Sequence, residues 1–204
     1  MPPQPLRLFI AVELTAEVKQ GLARLQDELK RQLPPKVVRW TNPDGIHLTL
    51  KFLGDTPADK VAAVSQAMAQ AAASFELFSF TVAGFGCFPN PRKANVLWAG
   101  VPEVPKTLAG LQRAVDLRLH TLGYAKESRP FSPHLTLGRV NKTISAAAQQ
   151  KLAEVIAKTQ VGQLGAVPVH EVILFQSDLR PTGSVYTALA RASLAGSETQ
   201  EARP

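Results

Sequence analysis

The sequence predicts a bilobal α+β fold with a pseudo-twofold axis, in which two antiparallel sheets line a central groove and the helices lie outside. Three observations predict it. The tetrapeptide HLTL occurs at His47–Leu50 and again at His134–Leu137, an offset of 87 residues. LARLQ at Leu22–Gln26 is answered by LAGLQ at Leu108–Gln112, an offset of 86. The predicted strands and helices also follow the same order in both halves, which indicates an internal duplication.

The first lobe begins with a strand and a helix. The apolar run Leu6–Leu14 predicts the strand. Thr15 is a suitable N-cap for the helix that follows, and Pro34 with Pro35 ends it. The apolar residues of this helix recur at helical spacing and are Val18, Leu22, Leu25 and Leu29.

The rest of the first lobe consists of further strands and a second helix. A short strand at Val37–Trp40 and the turn sequence TNPDG lead into the strand Ile46–Leu53. Pro57 opens a second helix. Two strands, Leu77–Phe85 and Asn95–Val101, complete the lobe.

The second lobe runs through the LAGLQ helix and the second HLTL strand. A helix at Ser145–Lys158 and strands at Val167–Phe175 and Ser184–Ala192 then mirror the elements after the first HLTL. We therefore expect residues 1–195 to form a single bilobal domain of two interleaved α+β lobes. The polar residues 196–204 are expected to be a flexible C-terminal tail.

Composition excludes several classes of protein. The 204 residues are 45% hydrophobic and 19% charged, which favours a folded core over disorder. No apolar run approaches the roughly 20 residues that cross a bilayer, so no membrane association is expected. The single cysteine, Cys87, excludes an internal disulfide and favours a reducing, cytoplasmic location. We expect a monomer.

The charge balance favours an anionic partner. Lysine and arginine number 23 against 16 acidic residues, giving +7 and a pI near 9.8. Such a surface attracts nucleic acid or nucleotide phosphates. An inert basic surface fits the charge alone equally well.

The repeated HLTL motif predicts a site for one tetrahedral anion. Alternate side chains of a strand share a face, so His47, Thr49 and Lys51 point one way and the leucines point to the core. His134 and Thr136 do the same in the second copy. A pseudo-twofold axis can therefore bring two imidazoles and two hydroxyls to one groove.

This set of groups fits displacement at phosphorus. Two imidazoles with ordinary pKa values near 6.5 can act as general base and general acid on opposite sides of a phosphate. The threonine hydroxyls can donate to its non-bridging oxygens. Lys51 and Arg139 can add positive charge, provided that Gly138 marks a bulge that turns Arg139 towards the groove. A half-buried strand duplicated with its lobe also explains the leucines, but burial does not require histidine.

Other chemistries have less support. The acids near the motifs are only Asp44 and Asp55, so we expect no metal and no cofactor. Phosphate-binding and dinucleotide-binding glycine motifs and a GxSxG elbow are absent. Cys87 is interpreted as a packed thiol, and His120 and His170 as structural or solvated residues.

The chain resembles the two-histidine phosphoesterases, in particular the RNA 2′,3′-cyclic phosphodiesterases, also called 2′-5′ RNA ligase-like proteins. The resemblance covers about residues 6–192. Four segments carry it, RLFIAVEL, HLTLKFLG, FPNPRKANVLWAG and PFSPHLTLGRV. The duplicated HxTx motif at this spacing is specific, whereas a single copy would be weak.

The resemblance implies metal-independent hydrolysis of a 2′,3′-cyclic phosphate end of RNA to a 2′-phosphomonoester, and some members of the family also form 2′-5′ linkages. It matches His47 to the proton donor for the departing 3′ oxygen and His134 to the acceptor that activates water. It matches Thr49, Thr136 and Arg139 to the family's threonines and arginine. Spacing alone gives the pair of histidines but not the order of their roles.

Substrate contacts outside the motif are open to two interpretations. Arg92 in the loop before the second lobe can contact RNA phosphates. Trp40 and Phe131 can stack a terminal base or belong to the core. A phosphodiesterase of small cyclic nucleotides and a non-catalytic RNA-binding module remain the alternative functions.

Overall fold

Nine strands and four helices follow one another in the computed structural model, which describes residues 4–180 and 183–196. The strands are β1 (Leu6–Glu13), β2 (Val38–Trp40), β3 (His47–Thr56), β4 (Phe78–Phe88), β5 (Val96–Gly100), β6 (His134–Val140), β7 (Gln163–Val169), β8 (Glu171–Arg180) and β9 (Gly183–Ser193). The helices are α1 (Ala16–Gln32), α2 (Val61–Ala72), α3 (Lys106–His120) and α4 (Ala146–Lys158). The expected tail lies outside the described residues except for Gly196.

The helix boundaries follow from the capping residues. The Thr15 hydroxyl accepts a hydrogen bond from the Val18 amide at 3.3 Å and begins α1, as the sequence predicts. The Ser145 hydroxyl does the same for the Ala148 amide at 3.2 Å and begins α4. Helix α1 ends one residue before the cap position Leu33, ahead of the two prolines.

The strands form two antiparallel sheets, which confirms the predicted fold class. The four-stranded sheet has the order β3-β1-β8-β9 and the five-stranded sheet the order β2-β6-β5-β4-β7. A pseudo-twofold axis exchanges β3, β1, β8 and β9 with β6, β5, β4 and β7, and β2 has no counterpart among the described strands. Each sheet takes strands from both halves of the chain.

The helices cover one face of each sheet. Helices α2 and α3 pack together on the four-stranded sheet, and α1 and α4 pack on the five-stranded sheet. Their apolar faces and the inward leucines of the strands form the buried core. The opposite faces of the sheets line the groove, and strand β3 contacts strand β6 across it.

One predicted strand is two strands. The segment predicted as Val167–Phe175 belongs to β7 up to Val169 and to β8 from Glu171, and these lie in different sheets. Between them the exposed His170 marks the crossing. The turn-forming residue of the segment VPVHEVILF is Pro168, which lies inside β7 and not at the crossing, so the pattern does not reveal the change of sheet at His170.

Within residues 4–180 and 183–196, none of the helices combines the length and the apolar character needed to cross a bilayer.

Candidate active site

The two HLTL segments bring their polar faces to the same groove. His47 and Thr49 on β3, and His134 and Thr136 on β6, are half-buried, whereas the leucines between them are buried against the helices. Because β3 contacts β6, the two imidazoles and the two hydroxyls line the groove from opposite sheets.

Both imidazoles are held in the same way. His47 Nδ1 lies 2.9 Å from the Gly45 carbonyl oxygen, and His134 Nδ1 lies 2.7 Å from the Ser132 carbonyl oxygen. A carbonyl oxygen only accepts hydrogen bonds, so Nδ1 carries the proton in each ring. Nε2 is thereby left as the nitrogen that can exchange a proton with a ligand in the groove.

A β-bulge ends each motif. In the β1–β3 ladder Ala11 pairs with Thr49 and Ile10 with Lys51, so Leu50 has no partner. In the β5–β6 ladder the register skips Leu137 in the same manner. One extra residue reverses the alternation of the residues that follow it.

The bulge on β6 turns Arg139 towards the groove, as the sequence predicts from Gly138. Thr136 pairs with Trp98 and Arg139 pairs with Val96, and both partners lie on the groove face of β5. Gly138 pairs with the buried Leu97 on the helix side. The guanidinium of Arg139 is exposed.

The matching bulge on β3 removes Lys51 from the groove, which corrects the expectation from strict alternation. Lys51 is 7% exposed, and its ammonium lies 2.5 Å from the Asp116 carboxylate of α3. It also donates to the Ala125 carbonyl oxygen. Phe52, which occupies the position equivalent to Arg139, faces the groove instead and is 66% exposed.

Aromatic rings surround His47. Phe9 stacks on its imidazole with ring centroids 4.5 Å apart, Tyr186 meets it edge-on at 5.0 Å, and Phe175 lies at 6.1 Å. Burial by these groups lowers the pKa of His47 to about 4, against the opposing effect of the Gly45 hydrogen bond; the Lys19 charge lowers it further. The expectation that both imidazoles keep ordinary pKa values is therefore wrong for His47.

His134 has a more open environment. The ring of Phe88 contacts the His134 imidazole edge-on, with ring centroids 5.0 Å apart, and contacts the Trp98 indole with centroids 5.2 Å apart. The indole of Trp98 covers Gly86, where an added Cβ would collide with the ring. In the two ladders Trp98 is equivalent to Ala11, because each pairs with the threonine of a motif, and Phe9 is equivalent to Val96.

The structure does not bring Trp40 to the groove. Trp40 pairs with Gly138 on the helix side of the sheet, and the Lys30 ammonium of α1 lies 5.8 Å from its ring centroid. Phe131 is partly buried against the core in the segment before β6. Arg92 is exposed on the short turn Pro91–Lys93, at the end of the β4–β5 hairpin.

Sequence reasoning missed the aromatic residues around the histidines. Phe9 and Phe52 lie in segments that the sequence assigns to strands, but alternation alone places Phe52 on the wrong face. Tyr186 lies 139 residues from His47 in the sequence, and only the curvature of the four-stranded sheet brings them together. No local pattern carries that signal.

The described residues contain no group of three or more histidine, cysteine, aspartate and glutamate side chains close enough to hold a metal ion. The polar groups that the two motifs and their bulges bring to the groove are two imidazoles, two hydroxyls and the guanidinium of Arg139, with several aromatic rings beside them.

Comparison with known proteins identifies related sequences. A family model described as LigT like Phosphoesterase matches residues 12–98 and 100–186, and each match contains one HLTL motif. The RNA 2′,3′-cyclic phosphodiesterase of Methanothermobacter thermautotrophicus is 37% identical over 182 residues, which cover 89% of this chain and 95% of the relative.

Solved structures share the fold. A protein of Thermus thermophilus superposes with a TM-score of 0.77 at 27% identity, covering 94% of this chain and all of the other. The structure of E. coli LigT complexed with 3′-AMP gives a TM-score of 0.73 at 27% identity, covering 93% of this chain and 98% of the other.

Proposed function

The chain belongs to the LigT-like phosphoesterase family, and on that basis we propose that it hydrolyses RNA ends carrying a 2′,3′-cyclic phosphate to 2′-phosphomonoesters. The observation that carries the proposal is the matched pair His47 and His134, each with Nδ1 bound to a backbone carbonyl and Nε2 free for the groove. The names of the related phosphodiesterases point to the same substrate.

The proposed reaction is an in-line displacement at phosphorus. His134 Nε2 removes a proton from water while the water oxygen forms a bond to phosphorus. The bond between phosphorus and the 3′ oxygen breaks, and His47 Nε2 protonates that oxygen. The products are a 2′-phosphomonoester and a free 3′ hydroxyl, so atoms and charge balance without a further reactant.

Binding of the substrate would favour the protonated form of His47 that its role as proton donor requires. In the free protein its low pKa keeps the imidazole neutral near pH 7. A cyclic phosphate carries one negative charge, and an anion close to the ring favours the protonated form and raises the pKa. His47 is then protonated and can donate this proton to the leaving oxygen.

The remaining polar groups stabilise the charge that develops on phosphorus. Thr49 and Thr136 each lie two residues from a histidine on the same face, where their hydroxyls donate to non-bridging oxygens. The bulge at Leu137 adds the Arg139 guanidinium from the same strand. One imidazole and one hydroxyl from each sheet suit a tetrahedral anion held between the sheets.

Aromatic residues of the groove would bind the terminal base. Phe52 presents a ring that is two-thirds exposed on the groove face, and Trp98 lies beside Thr136. Phe131 remains a second candidate through the segment that leads into His134. A base stacked on such a ring contributes about 1–3 kcal/mol.

The same groove also accommodates ligation. A 5′ hydroxyl of a second RNA in place of water would attack the cyclic phosphorus, release the 3′ oxygen and leave a 2′-5′ phosphodiester. We propose hydrolysis as the main reaction because water is in large excess.

The cellular setting proposed here is a monomer in the cytoplasm. The thiol of Cys87 is free, and burial raises its pKa, so it is a poor nucleophile and suits a reducing compartment. Size-exclusion chromatography with light scattering reads the oligomeric state directly.

The deciding experiment uses an RNA that ends in a 2′,3′-cyclic phosphate, incubated with the protein and excess EDTA. We expect conversion to a 2′-phosphate end, identified by phosphorus NMR. Activity that disappears on chelation would overturn the proposed mechanism. Tight, salt-dependent RNA binding without turnover would instead favour the non-catalytic RNA-binding module.

A further inference from the structure

Two arginines stand directly opposite each other beside the proposed reaction centre. Arg39 on β2 pairs in register with Arg139 on β6. Residues opposite each other in an antiparallel ladder share a face, so both guanidinium groups lie on the groove face. Both side chains are exposed, and in the described part of the chain neither forms an ion pair with a carboxylate.

Like charges directly opposite each other in a ladder are destabilising. An anion bound between the two guanidinium groups would relieve this repulsion. No acid of the neighbouring segments offsets them. Segments 34–40, 89–96 and 138–145, which hydrogen bonds between β2, β6 and β5 join at this end of the sheet, contain no aspartate or glutamate. Their basic residues, all exposed, are Lys36, Arg39, Arg92, Lys93, Arg139 and Lys142.

The backbone fixes the direction of Arg39. Val38 and Trp40, on either side of it, face the helices, and both lie against Gly138. A Cβ at residue 138 would come within 2.6 Å of a Val38 methyl group. A side chain at residue 138 would therefore force Val38 to shift, and the glycine lets β2 lie against β6 as it does.

The other lobe has no such arginine, for a physical reason. Lys51 occupies the position equivalent to Gly138, and its side chain fills the space towards Asp116. The four-stranded sheet ends at β3, with no strand beside it in the described part of the chain. Arg39 is thus an addition to the symmetric site, on one flank only.

We infer that Arg39 binds the phosphate one nucleotide upstream of the cyclic phosphate, so that the protein prefers an oligonucleotide end to a cyclic mononucleotide. The inference rests on the proposed function and names its substrate class. Neighbouring strands lie about 4.8 Å apart, so Arg39 is one strand farther out than Arg139. This distance between the two strands is similar to the distance between successive phosphates of a single-stranded RNA. The exposed basic residues of segments 34–40, 89–96 and 138–145 lie at the same end of the sheet and could contact further phosphates.

The experiment compares kcat/KM for a cyclic-ended trinucleotide with that for the 2′,3′-cyclic mononucleotide of the same terminal base. We expect Arg39→Ala to lower the value for the trinucleotide by about 10- to 100-fold, the usual range for losing a hydrogen bond to a charged group. The mononucleotide lacks the second phosphate and should lose little. Arg39→Lys should recover part of the loss, and Arg113→Ala, an exposed arginine on α3, should show none.

Salt dependence gives a second readout. For the trinucleotide, the slope of log(kcat/KM) against log salt should shrink by about 0.7 in Arg39→Ala, as expected for one phosphate contact of a single strand. Equal losses on both substrates would overturn the inference, because they place Arg39 at the reacting phosphate. An unchanged trinucleotide rate would overturn it as well.

Failure of the proposed function is distinguishable from failure of this inference. If the wild-type protein hydrolyses neither substrate, the proposed function fails. Binding of a fluorescent oligonucleotide then tests Arg39 without turnover. Weaker binding to Arg39→Ala than to wild type supports the phosphate contact, and equal binding refutes it.

Discussion

The Gln26 side chain of α1 donates hydrogen bonds from Nε2 to the carbonyl oxygen of Leu137, at 2.8 Å, and to that of Thr41, also at 2.8 Å. Leu137 is the bulged residue of the second HLTL motif. In the other lobe Gln112 donates from Nε2 to Leu50, the bulged residue of the first motif, at 3.4 Å. The glutamines that end LARLQ and LAGLQ therefore support the two bulges, and this explains why both pentapeptides recur.

Replacing Gln26 by alanine should lower the free energy of unfolding by about 1–3 kcal/mol, because it removes two hydrogen bonds of a buried side chain and leaves the Leu137 carbonyl oxygen with the Thr41 amide alone. Urea denaturation measures the change. Gln20→Ala, an exposed glutamine on the same helix, is the matched control and should be nearly neutral. Equal stabilities of the two variants would show that water replaces the Gln26 amide.

Replacing His47 or His134 by alanine should lower the rate on a cyclic-ended RNA by about 10² to 10⁴, the range for loss of a general acid or base. His170→Ala is the control, since His170 is exposed where the chain passes between the sheets. Single-turnover assays measure the chemical step. A variant that keeps the wild-type rate removes that histidine from the mechanism.

The pKa of His47 should respond to an anion in the groove. Proton NMR of the imidazole should show titration near pH 4 in the free protein. Inorganic phosphate should move it upwards, because the bound anion favours imidazolium. A titration that phosphate leaves unchanged would mean that no anion binds next to His47.

The same pKa makes stability depend on pH. The folded-state pKa of about 4 lies below the ordinary value of 6.5, so the unfolded chain binds more protons between these values. Stability should therefore fall as the pH drops from 6.5 to 4, by up to about 3 kcal/mol from this residue. Urea midpoints measured at several pH values should fall less steeply for His47→Asn than for wild type.

Lys51→Met should destabilise the fold by about 3–5 kcal/mol, because it leaves the Asp116 carboxylate buried without its cation. The double variant Lys51→Met with Asp116→Leu should recover much of this loss. In the folded fraction, turnover should stay close to wild type, since the ammonium does not reach the groove. A large fall in kcat with little loss of stability would contradict this assignment and indicate that Lys51 acts at the phosphate.

Phe52→Ala should raise KM for a cyclic-ended RNA by about tenfold with a small change in kcat, as expected when a base loses an aromatic partner. Leu117→Ala is the control, since Leu117 is 44% exposed on α3 away from the groove. The same experiment on Phe131 tests the candidate in the segment that leads into His134. An unchanged KM in Phe52→Ala would exclude base stacking there.

Local chemistry explains what the sequence predicted well. Short-range patterns can be recognised in the sequence alone, because each involves only a few neighbouring residues. They include the caps at Thr15 and Ser145, the helical periodicity and the HLTL repeat. Gly138 even indicated the bulge that turns Arg139. Lys51 was misplaced because nothing in LTLKFL marks the extra residue at Leu50. The role of Trp40 stayed open because a three-residue strand does not show which face its tryptophan takes.

The aromatic rings around His47 were beyond sequence reasoning for a different reason. Their contacts depend on how strongly the sheet curves, which is a property of all four strands together. The lowered pKa of His47 follows from those contacts.

The interleaving of strands has a consequence for how the two copies can evolve and be divided. Phe175 and Tyr186, which cover His47, come from the later half of the chain, and their strands complete the sheet of the earlier half. A fragment that contained only one repeat would therefore lack strands of both sheets and expose their unpaired edges. We expect that neither fragment would fold alone. Each repeat depends on strands from the other repeat, so substitutions in one repeat must remain compatible with the packing of the other.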